Sequence, residues 1–397
     1  MSRPPLDGVT VLEVGVFLAA PFATRQLADL GARVIKIEHP DAPDPVRSTG
    51  PFVDGAGVAF AQINRNKESV ALDLRSPSGR AAFLRLAEWA DVVVENLRPG
   101  SMRRLRLGPE DLQAVNPQLI CASASGWGQS GPLTDRPGLD IMAQARGGLM
   151  SVTGESGGDP VKCGVPVADL SCALYLALAV TAALQARDRD GRGEVIDVSL
   201  YESVVSLAVW EAAGWFGRGD VGHRLGSAHQ SMAPYQALRT HDGHVTIGAI
   251  TPATWAAFCA ALDLEALRDD PRFGTAGERF RHRGELIPLI EQATMGRSTA
   301  DVIAGLDAAG VPCEPIADYS QVFTDEHLTG RDFFWSPAGE PASVRQVASP
   351  MRFSRAPVRR NTGGPALGQH TRAVLTEVGV PAEEIEAVLG GTTAARP

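Results

Sequence analysis

The chain has 397 residues, 44% of them hydrophobic, 21% charged and 6% aromatic, with a formal net charge of −9. A chain this long buries a large core and is expected to form two domains. The acidic balance excludes nucleic acid as the main partner, because phosphate recognition needs a basic surface.

The five cysteines form no CxxC pair and have no histidine at ligand spacing. Neither a disulfide framework nor a metal site is expected, and a reducing, cytoplasmic setting fits. The first residues lack the apolar core of a signal peptide. The longest apolar run, Cys172 to Leu184, is too short to cross a bilayer, so no membrane partner is expected.

In chain order, VTVLEVG (9–15) is a β-branched run ending in Gly, and AAPFATRQLADLGA (19–32) has helical spacing with Gly where a C-cap falls. RVIKIEHP (33–40) and SVALDL (69–74) read as strands, followed by a helix from about Ser76 to Trp89. DVVVENL (91–97) and part of QLICASASGWG (118–128) supply two more strands. This alternation predicts an α/β fold with a doubly wound, Rossmann-like parallel sheet, which binds ligands beyond the carboxyl ends of its strands.

Residues 129–168 are rich in Gly and Pro and are expected to be mostly loop. A helix over 170–187, a strand over 194–200 and a helix from about Tyr201 follow. After a linker (217–232), a hairpin around Asp242–Gly243 and helices over 252–264 and about 283–307 suggest a smaller α+β domain. A last helix is expected near 381–389. The expected domains are 1–215 and 216–330, with a C-terminal segment over 331–397.

No Walker A motif, no GxGxxG after the first strand, no GxSxG and no HExxH is present. His241 and His244 flank a turn Gly and read as a solvated hairpin tip. The exit of the first strand, GVFLAAPFAT, joins strand to helix through small residues; it suits an anion or simply a tight crossover. Arg98, Arg103, Arg104 and Arg106 follow the fourth strand and are candidates for phosphate contacts. Asp169 lies at the start of a long apolar helix. It is either an N-cap or a desolvated nucleophile, and the residues alone favour the cap.

GVTVLEVGVFLAAPFATRQLADLGARVIKIEHP, NRNKESVALDLRSPSGR, ADVVVENLRPGSMRRLRLG, ASASGWGQSGP, DIMAQARGGLMSVTG, VPVADLSCALYLALAVTAAL and GRGEVIDVSLYES together resemble the class III CoA-transferases. That family includes formyl-CoA transferase, carnitine CoA-transferase and α-methylacyl-CoA racemase. The resemblance covers most of residues 8–203 and is looser after 230. It implies that Asp169 is the nucleophile and that Asp140 stands where the formyl enzyme has a Glu; the helix end is expected to keep Asp169 ionised. It places coenzyme A against Phe17, Leu18, His39, Leu72, Asn96, Leu97 and Arg104. It also implies an interlocked homodimer in which the C-terminal segment returns to the large domain.

The implied reaction moves CoA from an acyl-CoA, succinyl-CoA or a similar dicarboxylyl-CoA, to an acceptor acid. It runs through an aspartyl mixed anhydride and an aspartyl-CoA thioester. Thioester exchange is near thermoneutral, in keeping with the missing ATP motif. The loop RLGSAHQSMAPYQ (224–236) resembles that of transferases using succinate and related dicarboxylates. Arg47, Arg65, Arg224 and His229 are the cations expected to hold a second carboxylate. Backbone N–H groups near Ala19–Ala20 or Gly226–Ser227 are expected to hold the oxyanion. Racemisation of a 2-methylacyl-CoA is the alternative. It loses its base because Leu139 stands where the racemase branch has His. A catalytically silent CoA-ester binder is the third reading.

Overall fold

The structure is a computed structural model that describes residues 3–337 and 344–390. Six apolar segments form one sheet: β1 (Thr10–Val14), β2 (Arg33–Glu38), β3 (Lys67–Ala71), β4 (Val92–Glu95), β5 (Ile120–Ser125) and β6 (Val195–Ser199). They run in the order β3-β2-β1-β4-β5-β6, and every pair is parallel. Strand order therefore reverses between β1 and β4, which places a crevice outside their carboxyl ends. Each strand lies within a few residues of its expected position. β1 and β4 are buried along their whole length, as befits a sheet covered on both faces.

The chain divides into two compact units. The first holds the described residues of Met1–Leu149, Lys162–Ala213 and Glu326–Pro397. Its helices before residue 214 include α1 (Ala19–Asp29), α2 (Pro77–Trp89), α3 (Asp140–Arg146), α4 (Val167–Asp190) and α5 (Leu200–Ser206). On one face of the sheet, Ala20, Ala23 and Leu27 of α1 pack with Cys172, Leu176 and Val180 of α4. On the other face, Phe83 and Leu86 of α2 cover Leu12, Ile35 and Val93. α4 is 24 residues long and ends at Gly191, whose left-handed backbone (φ 68°) stops the helix. It is long and apolar enough to cross a membrane by length and composition, but one face of it is the core just described.

The segment 129–168 is mostly loop, as expected, and contains α3 and a short helix, Leu149–Val152. Two expectations are corrected. α4 begins at Val167, so Asp169 lies inside its first turn and not ahead of it. The single helix expected over 283–307 is two helices, because Ser298 caps a new start by accepting the Asp301 N–H.

The second unit comprises Met150–Val161 and Gly214–Asp325. Strands β7 (Tyr235–Arg239), β8 (His244–Gly248) and β9 (Cys313–Pro315) pair antiparallel with β8 in the middle. The hairpin turns at Asp242–Gly243, closed by the Thr240 N–H on the Gly243 carbonyl at 2.9 Å. Helices α6 (Pro252–Ala261), α7 (Arg283–Thr294) and α8 (Thr299–Ala308) bury Phe258, Leu286, Ile290 and Leu306 against this sheet.

The tail belongs to the first unit and carries α9 (Thr371–Glu377) and α10 (Ala382–Gly390). His370 Nδ1 and Thr371 Oγ1 accept the Ser69 and Ala71 N–H groups at 3.1 and 2.9 Å. β3 is the edge strand, so the tail satisfies donors that an exposed edge would offer to another chain.

Charge also enters the sheet. Glu13 on β1 lies opposite Lys36 on β2, and Lys67 at the start of β3 bonds the same carboxylate at 2.7 Å. All three side chains are fully buried. Replacing Lys67→Met leaves this site one positive charge short. It should cost about 3–5 kcal/mol, the usual penalty for breaking a buried pair, measured by denaturant unfolding.

Candidate active site at the carboxyl edge of the sheet

The end of α4 fixes where its start must be. Arg187, in its last turn, bonds Asp91 at 2.8 Å, and Asp91 directly precedes β4. That end of α4 lies at the amino edge of the sheet. Its first turn, with Asp169, therefore lies at the carboxyl edge.

A new helix leaves N–H groups unpaired, and here Pro166 at the N-cap offers no side-chain acceptor. Asp140, the first residue of α3, supplies it. Its Oδ1 accepts the Ala168 and Asp169 N–H groups at 2.8 and 3.3 Å. Its Oδ2 accepts Nε2 of the buried Gln144 at 2.6 Å, and Gln144 Oε1 accepts the Cys163 N–H at 2.9 Å. The cap reading of Asp169 is thus overturned, because the capping carboxylate is Asp140. Among the described residues, no hydrogen bond reaches the Asp169 carboxylate.

The expected protonation state is corrected with it. Burial pushes the Asp169 carboxyl up to about 7, and the Asp140 charge adds to the rise. The helix end does not offset this, since the N–H groups that would steady an anion already point at Asp140.

A cavity of about 350 Å³ opens at the same edge. It is lined by residues just beyond four strands, among them Val16 after β1, His39 after β2, Leu72 after β3 and Leu97 after β4. His39, Leu72 and Leu97 come from the expected CoA set. Asn96 ties two of these exits together: its Oδ1 accepts the Val16 N–H at 2.9 Å and its Nδ2 donates to the Val16 carbonyl at 2.8 Å. Phe17 has a left-handed backbone (φ 60°) and a side chain that is 54% exposed. Leu18 is the N-cap of α1 and makes no side-chain cap bond. Arg104 is exposed and donates to the Ser101 hydroxyl at 2.8 Å, while Arg103 pairs with Glu110.

The cations expected to meet a second carboxylate part company. Arg47 chelates Glu38 at 2.8 and 2.6 Å, donates to the Pro365 carbonyl and lies over the Phe60 ring. Arg65 is buried, chelates Asp29 at 3.0 and 2.7 Å and donates to the Val347 carbonyl. Both guanidinium groups are occupied by the chain's own acids and carbonyls, which corrects their assignment to substrate. Arg224 and His229 lie in the second unit. Arg224 reaches the Ser151 carbonyl at 3.4 Å, and its buried Nε has no hydrogen-bond partner. His229 Nδ1 accepts the Ser231 N–H at 3.1 Å, and its ring lies 5.2 Å from that of Tyr235.

Gly226 donates its N–H to the Gly154 carbonyl at 2.9 Å, so that donor is not available to an oxyanion. Leu139 is 62% exposed and has no proton to exchange. Among the described residues, no cluster of His, Cys, Asp and Glu suits a metal. Sequence reasoning missed Gln144, whose i,i+4 spacing from Asp140 was the available signal. It also missed the charges in β1 and β2, where Glu13 and Lys36 interrupt strands that should be apolar.

A doubly wound sheet with a cavity at its carboxyl edge, and a half-buried carboxyl at the same edge that no hydrogen bond reaches among the described residues, has the layout of an α/β ligand-binding site. Comparison with known proteins narrows the class. Residues 6–371 match CoA-transferase family III. The chain is 38% identical over 379 residues to the succinyl-CoA:glutarate CoA-transferase of Mus musculus, covering 95% of this chain and 87% of the relative. It is 34% identical over 384 residues to the succinate–glutarate CoA-transferase of Agrobacterium fabrum, covering 95% and 96% of the two chains. The solved structure of a CaiB/BaiF family protein from Brucella suis superposes with a TM-score of 0.86 at 36% identity, over 95% of this chain and all of that one. The chain belongs to CoA-transferase family III and is a CoA-transferase.

Carbon-13 NMR titration of the aspartate carboxyls, with Asp169→Asn to assign the signal, should give Asp169 a midpoint near 7. Asp140→Asn removes the like charge yet keeps an oxygen for the helix end, so the midpoint should move down. A raised native pKa means that folding favours the protonated acid, and stability contributed by that acid is lost as pH rises from about 4 through 7. Asp169→Asn should therefore be more stable than the parent at pH 8, with the gap closing below pH 4.

Proposed function

We propose that this enzyme moves CoA from succinyl-CoA or a similar dicarboxylyl-CoA to an acceptor dicarboxylic acid, with Asp169 as the nucleophile. The observation that carries the reading is the Asp169 carboxyl itself: desolvated, free of hydrogen bonds among the described residues, and raised to about 7. The names of the mouse and Agrobacterium relatives, both CoA-transferases of succinate and glutarate, support the dicarboxylate class.

The steps balance without a net proton. An Asp169 oxygen attacks the thioester carbonyl, the C–S bond breaks, and CoA thiolate leaves a mixed anhydride. The thiolate then attacks the Asp169 acyl carbon, breaking the C–O bond to the donor acid, which departs. An aspartyl-CoA thioester remains. The acceptor carboxylate repeats the sequence in reverse, and Asp169 returns as a carboxylate. A carboxylate solvated in water is a weak nucleophile, and removing its water is part of the remedy. The higher basicity also brings Asp169 closer to a thiol, whose ordinary pKa is about 8.5, so attack and return are better matched. Holding the reactants in line can contribute roughly 7–11 kcal/mol.

In this reading the pantetheine and nucleotide parts of CoA occupy the cavity at Val16, His39, Leu72 and Leu97, with Phe17, Leu18, Asn96 and Arg104 at its margin. Arg224, with a buried Nε lacking a partner, is the better-suited cation for the second carboxylate, and His229 is a second candidate. The racemase alternative is not favoured, as Leu139 supplies no base. A homodimer is part of the proposal. It is supported by large apolar side chains left in solvent, including Leu178 (65% exposed) on α4 and Trp210 (61%).

Incubation with succinyl-CoA followed by hydroxylamine should leave a mass increment on the Asp169 peptide, and Asp169→Ala should abolish transfer while still binding CoA. An unmodified peptide across a panel of acyl-CoA donors would sink the mechanism. Since the attacking form is the carboxylate, kcat/KM should rise with pH through a midpoint near 7. Sedimentation at micromolar concentration should give twice the chain mass.

A further inference from the structure

The turn from β1 into α1 forms part of the cavity wall through Gly15 and Val16, and side chains from distant elements hold it in place. Lys36 Nζ donates to the Gly15 carbonyl at 2.8 Å and Lys67 Nζ to the Pro21 carbonyl at 2.8 Å. Between them, Asn96 binds both polar groups of Val16. Asp44 Oδ1 accepts the N–H groups of Phe17 at 3.1 Å and Val46 at 3.0 Å. Its other oxygen pairs with Lys36 at 2.9 Å, and both side chains are fully buried.

The tethering matters because of Phe17. Its φ of 60° lies in the left-handed region, which a bulky residue avoids unless its surroundings over-determine it. Nothing in the Phe17 side chain supplies that constraint, since it is 54% exposed. The constraint comes through its backbone N–H, and Asp44 provides it. Asp44 also lines the cavity. It therefore stands between a buried ammonium and a strained residue that directly follows the cavity-lining Val16.

We propose that Asp44, backed by Lys36, is a positioning residue that holds Phe17 in its left-handed conformation and so sets the Gly15–Phe17 wall against which acyl-CoA binds. The inference rests on reading this cavity as the acyl-CoA site. It goes further by assigning the shape of that site to a buried carboxylate outside the expected contact set.

The test compares wild type with Asp44→Ala and Asp44→Asn, following CoA binding by calorimetry, steady-state kinetics with succinyl-CoA, and thermal melting. Asp44→Ala should raise the Kd for CoA and the KM for succinyl-CoA about tenfold, the effect of losing one charge-assisted hydrogen bond. Asp44→Asn, whose amide oxygen can still accept the Phe17 N–H, should recover a large part of that loss. A purely structural role would instead reduce the folded fraction, lowering kcat at unchanged KM, and that outcome overturns the proposal.

If Asp44→Ala fails to fold, the exposed position 17 decides. Phe17→Val, β-branched and averse to positive φ, should raise KM more than Phe17→Asn, although Val keeps more apolar surface. The reverse order would mean that Phe17 acts by contact alone and would overturn the positioning role. A wild-type protein that fails to bind CoA refutes the reading of the cavity. Normal wild-type binding with unchanged affinity in Asp44→Ala refutes only the role of Asp44.

Discussion

Glu13, Lys36, Lys67 and Asp44 lie together under the first strand exit, two acids and two bases that are all removed from water. A parallel sheet normally excludes such groups, and the desolvation penalty of each is large. What makes the arrangement tenable is pairing. Lys67 donates three hydrogen bonds, and Lys36 donates to Glu13 and to the Gly15 carbonyl while its ammonium lies 2.9 Å from Asp44 Oδ2 as an ion pair. Burial alone would raise the Glu13 carboxyl, but the two ammonium groups more than offset it and hold it down to about 2. Burial dominates at Lys67, which is pulled down to about 8. The cluster also specifies register. A one-residue slip of β1 against β2 would turn Glu13 to the other face of the sheet, away from both lysines. Strand alignment, the path of the exit turn and the floor of the cavity thus follow from one set of charges.

A second constraint acts at the start of α4. A helix end can steady one anion well, and two carboxylates compete for it. Asp140 wins because its Oδ1 reaches the Ala168 and Asp169 N–H groups from a neighbouring helix. Asp169 bears the consequence, being desolvated, near a like charge and without donors of its own. Two carboxyls placed so differently acquire different tasks, one holding the backbone and the other retaining basicity. The fixed position and the raised basicity of Asp169 therefore share a cause. Gln144 stabilises that division of labour from below, since it holds the Asp140 oxygen not used by the helix.

How much of this is legible in the sequence depends on the range of the interaction involved. The sheet is legible because β-branched runs and helical spacing are local properties, and the strands fall within a few residues of their expected bounds. Asp169 is legible as a candidate because a carboxylate beside a long apolar run is conspicuous. Its environment is not, for the capping carboxylate comes from 28 residues before Ala168. The same limit misleads at Arg47 and Arg65. Each is a cation expected to hold a second carboxylate, yet Arg47 is neutralised by Glu38 and Arg65 by an acid 36 residues away. A local pattern shows where charge is placed. It does not show which charge is already answered by the chain itself.

That distinction bears on what a polar residue in an apolar strand means. Glu13 and Lys36 break the pattern of β1 and β2 as visibly as Asp169 breaks that of α4. The first two are answered completely within the fold, while Asp169 has no hydrogen bond to its carboxylate among the described residues. An anomalous charge in the sequence is therefore ambiguous between scaffold and chemistry, and only its partners resolve it. Here the two uses are linked through packing and not through sequence: the answered charges hold the turn at Gly15–Pro21, and that turn opens α1, which packs against the helix carrying the unanswered one.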